Sequence, residues 1–319
     1  MSYTFSICIP TYNSGALVAY AIESALKQDF TDYEILIVDD KSTDSTLEEI
    51  KKYASFEKVR IVVNEQNLGL TANWNKCLQL AQGKYIAFLH HDDEFEATLL
   101  SEVFEVIKSD QSIGIVAVDN QTGKTNEIKK GLISASDYIH TLFLFKYATP
   151  PSQCVFIKIN GLEYDMNMKY CPEVDLYLQL LEKKYNAFYL QKKLVKRNAH
   201  NWTGNVTSVT NFTTVPFEDK LYVIHKWASK VNIAPRIIKN GFTNLSIQAY
   251  KKYIRGVVFK ISGIKDFKLK FDRKVEEYKY FNLSQFERTA ISCEAYFYMT
   301  GKMVTSIASK LYKNVKKVS

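Results

Sequence analysis

The chain has 319 residues, of which 46% are hydrophobic, 13% aromatic and 24% charged, and its mean hydropathy is −0.19. So many aromatic residues exclude a disordered chain. No apolar run reaches the roughly 20 residues that cross a bilayer, and the N-terminus lacks the basic and apolar regions of a secretory signal. Five cysteines without CxxC spacing predict reduced thiols, and they argue against a disulfide framework or a zinc site. We therefore expect a cytoplasmic protein.

The net charge of +8 is unevenly distributed along the chain. Residues 1–220 contain 22 Lys and Arg against 28 Asp and Glu, a balance of −6. Residues 221–319 contain 20 against 6, a balance of +14. An acidic body with a basic end predicts two regions with separate roles, the second facing an anionic surface.

Apolar runs rich in β-branched residues alternate with helical patterns over the first 120 residues. The predicted strands are Phe5–Pro10, Glu34–Asp39, Val59–Val63, Tyr85–Leu89 and Ile113–Val118. The predicted helices are Ser14–Gln28, Thr43–Tyr53, Thr71–Gln82 and Glu96–Lys108, with Ser42 or Thr43 as an N-cap and Gly83 as a C-cap. This alternation predicts an α/β fold in which helices cover both faces of a mostly parallel sheet.

The pattern is less regular beyond residue 120. We predict helices over Ser134–Phe145 and Glu173–Lys184, a strand over Gln153–Ile159, and a final extended segment over residues 187–200. From about residue 216 onward the chain has a mostly basic helical pattern.

Polar residues cluster where three predicted strands end. They follow the first, second and fourth strands as Thr11-Tyr12-Asn13, Asp39-Asp40 and His90-His91-Asp92-Asp93. Parallel sheets bind ligands at this edge, and hard carboxylate oxygens suit Mg²⁺ or Mn²⁺ together with substrate phosphates. The alternative for Asp92 and Asp93 is a helix N-cap, but a second acidic strand end favours a pocket. Neither GxGxxG nor GxxxxGK[ST] occurs, so a metal-bound diphosphate fits better than a glycine-rich phosphate loop.

Five segments in a fixed order carry a resemblance to a known family. Over residues 4–205 the chain resembles family 2 glycosyltransferases with the GT-A fold, of the type that assembles bacterial surface polysaccharides. The segments are IPTYN (9–13), EILIVDDKSTD (34–44), NLGLTANWNKCL (67–78), AQGKYIAFLHHDD (81–93) and YDMNMKYCPEVDLYLQLL (164–181).

The resemblance implies a domain organisation and a reaction. It implies a catalytic domain over residues 1–215, with a donor-binding half to about residue 120 and an acceptor half to about 215, followed by a basic helical region over 216–319. The implied enzyme is an inverting, metal-dependent hexosyltransferase. It would move a sugar from a nucleotide-diphosphate sugar, UDP-linked, to a hydroxyl of a glycan or lipid-linked acceptor, with Mn²⁺ or Mg²⁺ as cofactor.

The resemblance also assigns site residues. The DxD motif falls on His90-His91-Asp92, so that His90 stands where the family usually has Asp, and Asp92 corresponds to the metal ligand. Trp74 stands where many relatives have Arg; we interpret it as a core residue, with Lys76 as the alternative cation for the diphosphate. The implied residues of the nucleotide-sugar site are Pro10, Thr11, Tyr12, Asn13, Asp39, Asp40, Asn75, Lys76, His91 and Asp93.

Two acidic residues compete for the role of catalytic base. Glu173 falls where the family has its catalytic Asp, and Asp175 follows two residues later. Residues two apart on a helix point about 200° from each other, so both cannot face the same hydroxyl. We favour Glu173, in the first turn after Pro172. The alternative is that both acids only complement the helix dipole.

Some assignments concern the end of the chain. His200 is a second candidate metal ligand, as in some similar enzymes, or a structural histidine. Residues 246–262 and 295–318 form basic amphipathic patterns, which either bind an anionic membrane surface or pack on the catalytic domain. No nucleic-acid module is present, and the sequence leaves the oligomeric state open. The alternative functions are a catalytically silent nucleotide-sugar binder and a membrane-surface scaffold.

Overall fold

The computed structural model describes residues 3–121, 130–143, 151–197, 215–227 and 230. The chain divides into two compact units. The first comprises Met1–Ile139 and Tyr147–Ser208, and the second comprises His140–Lys146 and Val209–Ser319. The predicted boundary at residue 215 remains a prediction.

Strands and helices alternate through most of the described residues. The strands are β1 (Tyr3–Thr11), β2 (Tyr33–Asp39), β3 (Val59–Val63), β4 (Gly83–Phe88), β5 (Glu94–Phe95), β6 (Ile113–Asn120), β7 (Gly131–Ile133), β8 (Cys154–Ile157) and β9 (Asn186–Lys196). The helices are α1 (Leu17–Leu26), α2 (Thr46–Lys51), α3 (Leu70–Leu80), α4 (Leu99–Ser109), α5 (Ala135–Phe143), α6 (Pro172–Glu182) and α7 (Val215–Trp227). Within these residues, no helix combines the length and the apolar character needed to span a membrane.

The nine strands form one sheet in the order β3-β2-β1-β4-β8-β6-β9-β5, with β7 paired to β9. Strands β1, β2, β3, β4, β6 and β9 run in one direction, while β5, β7 and β8 run in the other. The predicted α/β fold with a mostly parallel sheet is confirmed. The insertion of β8 as an antiparallel strand between β4 and β6 was not predicted, because four apolar residues do not specify a neighbour.

The core lies along β1 and β2, which the sequence predicts as near-continuous hydrophobic strands. Ile7, Ile9, Ile35 and Ile37 have no exposed surface, because helices cover both faces of a sheet of this kind. Helix α3 contacts both strands. This packing holds the carboxyl ends of β1 and β2 in place.

The predicted cap at Gly83 is wrong. Helix α3 already ends at Leu80, and Gly83 begins β4. A β-carbon at Gly83 would lie 2.4 Å from backbone atoms of Phe5 and Ser6, so the close approach of β1 requires glycine here.

The predicted N-caps of α2 are also wrong. The helix begins at Thr46 after Ser45, and the hydroxyl of Ser42 donates to Asp39 instead. Helix α4 begins at Leu99, three residues after the predicted Glu96, because the residues before it pair with β9 as β5.

Candidate active site

The polar segments after the first, second and fourth strands meet at one edge of the sheet. Strands β1, β2 and β4 are parallel neighbours, with Thr11 opposite Asp39 and Cys8 opposite Phe88. The backbone N–H of Asp40 donates to the carbonyl of Thr11 at 2.9 Å, which joins the first two segments. This edge therefore holds the candidate site.

Asn13 ties the first segment to the second. Its backbone adopts a left-handed conformation with φ of +45°, which asparagine tolerates better than most residues. Its N–H donates to Ser42 Oγ at 3.0 Å, and its Oδ1 accepts from the N–H of Thr43 at 2.8 Å. Tyr12, the preceding residue, is 43% exposed and presents its ring to solvent.

The two aspartates at the end of β2 both point into the protein. Asp39 is fully buried, and its carboxylate accepts from the N–H of Ser42 at 3.0 Å and from its hydroxyl at 2.5 Å. Asp40 accepts from the N–H groups of Leu68 and Gly69, both at 2.8 Å. These contacts hold the loops around the site, and the predicted nucleotide contacts of both aspartates stay predictions.

The turn after β4 gathers three potential metal ligands. One ligand atom each from His90, Asp92 and Asp93 lies within 4.8 Å of the other two. The N–H of Asp93 donates to the carbonyl of His90 at 3.0 Å, and Asp93 Oδ2 accepts from Ser152 Oγ at 2.5 Å. His90 Nε2 is buried and has no hydrogen-bond partner among the described residues. Two carboxylates and an imidazole at this spacing fit a divalent cation.

The electrostatics of the turn agree with that fit. Burial raises the pKa of Asp92, and the neighbouring charge of Asp93 raises it further. Burial lowers the pKa of His90, although Asp92 and Asp93 oppose the effect, and burial lowers the pKa of His91 to about 4. At neutral pH the imidazoles are therefore uncharged, and a bound cation would relieve the repulsion between the carboxylates.

Arg197 is a candidate functional residue that the sequence reasoning missed. It comes directly after Lys196, which pairs with Glu94 of β5, the strand that follows Asp93 in the chain. Its positive charge lowers the pKa of both Asp92 and His90. Its Nε is buried without a hydrogen-bond partner among the described residues. Its position at the start of the RNAHN segment (197–201), three residues before His200, was the available signal.

Helix α3 contributes Trp74, Asn75 and Lys76. Trp74 is 6% exposed, which confirms it as a core residue, and its ring stacks on His90. The side-chain amide of Asn75 bonds the backbone of Tyr164 twice, donating to its carbonyl at 2.9 Å and accepting from its N–H at 2.7 Å. Asn75 therefore holds a neighbouring segment in place, and Lys76 is partly exposed beside it. Their predicted roles toward a nucleotide sugar stay predictions.

The two candidate bases both lie in the first turn of helix α6, but they differ in burial. The helix starts at Pro172, one residue before the predicted bound, so Glu173 lies in its first turn with 8% of its surface exposed. Asp175 has no exposed surface, and its carboxylate accepts from Gln179 Nε2 at 2.9 Å. The burial of Asp175 favours Glu173 as the acid that meets a substrate.

Several predictions fall outside the described residues. These are the metal role of His200 and the two basic amphipathic segments, residues 246–262 and 295–318. They stay predictions.

The chain is similar to known glycosyltransferases. Residues 6–160 match the sequence profile of the family Glycosyl transferase family 2. A 263-residue stretch is 28% identical to the UDP-Glc:alpha-D-GlcNAc-diphosphoundecaprenol beta-1,3-glucosyltransferase WfaP of Escherichia coli, covering 81% of this chain and 93% of that protein. The chain spans 26 to 40% of the length of five other curated relatives that it matches.

Solved structures share the fold. TarS 1-349 of S. aureus in complex with UDP superposes with a TM-score of 0.60 at 19% identity, covering 84% of this chain and 75% of that one. The mannosyltransferase PcManGT of Pyrobaculum calidifontis, in complex with GDP-Man and Mn²⁺, has a TM-score of 0.57 at 14% identity, covering 93% and 85%.

The order of the strands, the site at their carboxyl ends and the similarity to the solved structures together define a GT-A fold. The sequence similarity to Glycosyl transferase family 2 extends over residues 6–160 of this fold.

Proposed function

We propose that this chain transfers a hexosyl group from a nucleotide-diphosphate sugar, UDP-linked, to a hydroxyl of a glycan or lipid-linked acceptor in surface-polysaccharide synthesis. The observation that carries the proposal is the cluster of His90, Asp92 and Asp93 at the sheet edge where β1 and β2 also end. The printed names of two similar proteins support the choice of donor, since one names UDP-Glc and the other a complex with UDP. The diphosphoundecaprenol in the first name supports a lipid-linked acceptor.

A divalent cation fits the donor set of the turn. Asp92 would hold it, with His90, Asp93 and His200 as further ligands. When bound, the cation supplies positive charge that stabilises the departing diphosphate. The imidazole nitrogen in the set favours Mn²⁺ over Mg²⁺, which prefers oxygen ligands and bound water.

The chemistry of the chain itself centres on Glu173. Its carboxylate takes the proton of the acceptor hydroxyl while the acceptor oxygen forms a bond to the anomeric carbon. The bond between that carbon and the diphosphate oxygen breaks on the opposite face, so the anomeric configuration inverts. The low exposure of Glu173 limits the access of bulk water, which would otherwise compete as acceptor.

The basic end of the chain suggests a location for this reaction. Residues 221–319 carry a balance of +14, which would attract an anionic membrane surface. We propose a peripheral enzyme at the cytoplasmic face of the cell membrane, where a lipid-linked acceptor is accessible.

A catalytically silent nucleotide-sugar binder is the second candidate. Two departures from the family pattern favour it: His90 in place of the first DxD aspartate and Glu173 in place of the catalytic aspartate. Such a protein would bind the donor without turnover.

A thermal-shift screen of nucleotide sugars, with and without Mn²⁺, tests the proposal, because a ligand that binds the folded state raises its stability. We expect a UDP-sugar to raise the melting temperature in the presence of Mn²⁺, and the stabilising donor to be consumed when lipid-linked glycans are added. Stabilisation without any transfer or donor hydrolysis would favour the silent binder. No stabilisation by any nucleotide sugar would contradict both.

A further inference from the structure

The side chain of Tyr164 is buried and rigidly held, but its hydroxyl is not used. The residue is 1% exposed, and its ring packs edge-on against Trp74 at 5.1 Å and Phe88 at 5.6 Å between centroids. Its backbone is fixed by the two hydrogen bonds to the Asn75 amide. The hydroxyl oxygen is buried and has no hydrogen-bond partner among the described residues. A buried donor without a partner lowers the free energy of unfolding, so its presence calls for a functional explanation.

A layer of aromatic rings connects Tyr164 to the helix that carries Glu173. Phe88 stacks on Phe156 at 6.1 Å, and Phe156 meets Tyr177 edge-on at 6.4 Å between centroids. Tyr177 lies one turn after Glu173 in α6, and residues four apart share a helix face. Glu173 therefore lies on the same face of α6 as Tyr177, which contacts this layer.

The carboxylate of Glu173 also influences the pKa of Tyr164. Burial raises the pKa of Tyr164 well above its usual value, and the carboxylate of Glu173 is the next largest cause. The phenol therefore stays protonated at neutral pH and is available as a donor.

We propose that Tyr164 is a positioning residue for the catalytic base: its hydroxyl donates a hydrogen bond to the Glu173 carboxylate and aims it at the acceptor hydroxyl. The inference rests on the proposed function, in which Glu173 is the base. Hydrogen bonds at catalytic groups are often long in the free enzyme and tighten when substrate binds. The clamp by Asn75 keeps the phenol in place for that step.

Other titratable groups lie around the Glu173 carboxylate, but none is assigned the positioning role of Tyr164. Glu173 also raises the pKa of Tyr170 and Tyr177, and Asp175 lies on the same helix. Arg197 acts on Tyr170, and four buried thiols raise the pKa of one or more of these phenols, namely those of Cys8, Cys77, Cys154 and Cys171. Within this set Tyr164 combines a fully buried hydroxyl, a fixed backbone and a donor that the described residues leave unused.

The test compares Tyr164→Phe with Tyr33→Phe in the full chain. Tyr33 is a matched control, since it is 1% exposed, its hydroxyl donates to the Ala25 carbonyl at 3.0 Å, and it lies at the opposite end of β2 from the site. Loss of a hydrogen-bond donor to the Glu173 carboxylate disfavours the charged carboxylate and raises its pKa. The acid limb of the pH profile of kcat/KM should therefore move to higher pH in Tyr164→Phe. We expect kcat to fall roughly tenfold, with donor affinity unchanged.

A second variant covers the case in which Tyr164→Phe is misfolded. Incorporation of 3-fluorotyrosine at position 164 keeps the shape and makes the phenol a stronger donor, so the acid limb should move to lower pH. If neither substitution moves the acid limb more than Tyr33→Phe does, the proposal is wrong. If Glu173→Gln retains full turnover, Glu173 is not the base, and the proposed role of Tyr164 is wrong as well. An inactive Glu173→Gln with an unshifted Tyr164→Phe overturns the Tyr164 inference alone.

Discussion

The rings of His90 and Trp74 stack with their centroids 5.3 Å apart and their planes 24° from parallel. Both positions depart from the family pattern, which has Asp at the first and often Arg at the second. Because burial lowers the pKa of His90, the imidazole is uncharged at neutral pH, and the stacked pair carries no charge. In this chain the two positions therefore pack together as uncharged rings.

Replacing His90 by Asp should change the metal preference. The variant turns a mixed nitrogen and oxygen donor set into an all-oxygen set, which suits Mg²⁺ better. We expect the ratio of donor affinity with Mn²⁺ to that with Mg²⁺ to fall roughly tenfold, as measured by titration calorimetry. Trp74→Phe is the control, because it keeps an aromatic partner and both ligand types. An unchanged ratio in His90→Asp would show that the imidazole does not contact the cation.

Asp92→Ala should abolish metal-dependent donor binding. Asp92 is the ligand that the family pattern assigns, and its removal leaves only Asp93 and His90 in the cluster. Calorimetric titration of the nucleotide sugar with Mn²⁺ measures the loss, and Glu105→Ala, an exposed acid in α4, is the control. Equal donor affinity in Asp92→Ala and in the parent protein would contradict the assignment.

Glu173→Gln should lower turnover by roughly 10² to 10⁴ while the donor still binds, because the amide cannot accept the acceptor proton. Asp175→Asn tests the alternative base, and we expect a smaller effect on turnover because Asp175 is fully buried and bonded to Gln179. Steady-state rates and donor affinities of both variants decide the question. The reverse pattern would make Asp175 the base.

Gly83→Ala should destabilise the fold by about 3 kcal/mol, because its β-carbon would lie 2.4 Å from the backbone of β1. Lys84→Ala is the control at the next position, where the side chain is exposed and the expected change is within about 0.5 kcal/mol. Urea unfolding measures both. A Gly83→Ala variant as stable as Lys84→Ala would mean that β1 and β4 separate at little cost.

Deletion of residues 302–319 removes five lysines and should weaken binding to anionic vesicles. Each lysine near such a surface contributes about 1 kcal/mol, and salt screens the attraction. Vesicle co-sedimentation at low and high salt measures the effect, with the same five lysines replaced by Gln in the full chain as a control for charge alone. Undiminished binding after deletion, or none by the full chain at low salt, would contradict a membrane role for this region.

Local sequence determined the α/β layout and the edge on which the site lies. Buried parallel strands require continuous apolar runs, and such runs are visible without knowing their neighbours. The position of the polar residues at the ends of β1, β2 and β4 could likewise be predicted, because the carboxyl ends of parallel strands meet at one edge of the sheet.

The tertiary structure alone decided which partner each polar side chain takes. Asp40 bonds a loop 28 residues away, Asn75 bonds Tyr164 across 89 residues, and Arg197 approaches Asp92 through the pairing of β5 with β9. The antiparallel position of β8 and the stack of His90 on Trp74 arise in the same way. Residue type specifies what a group can bond, but long-range packing specifies which group is within reach.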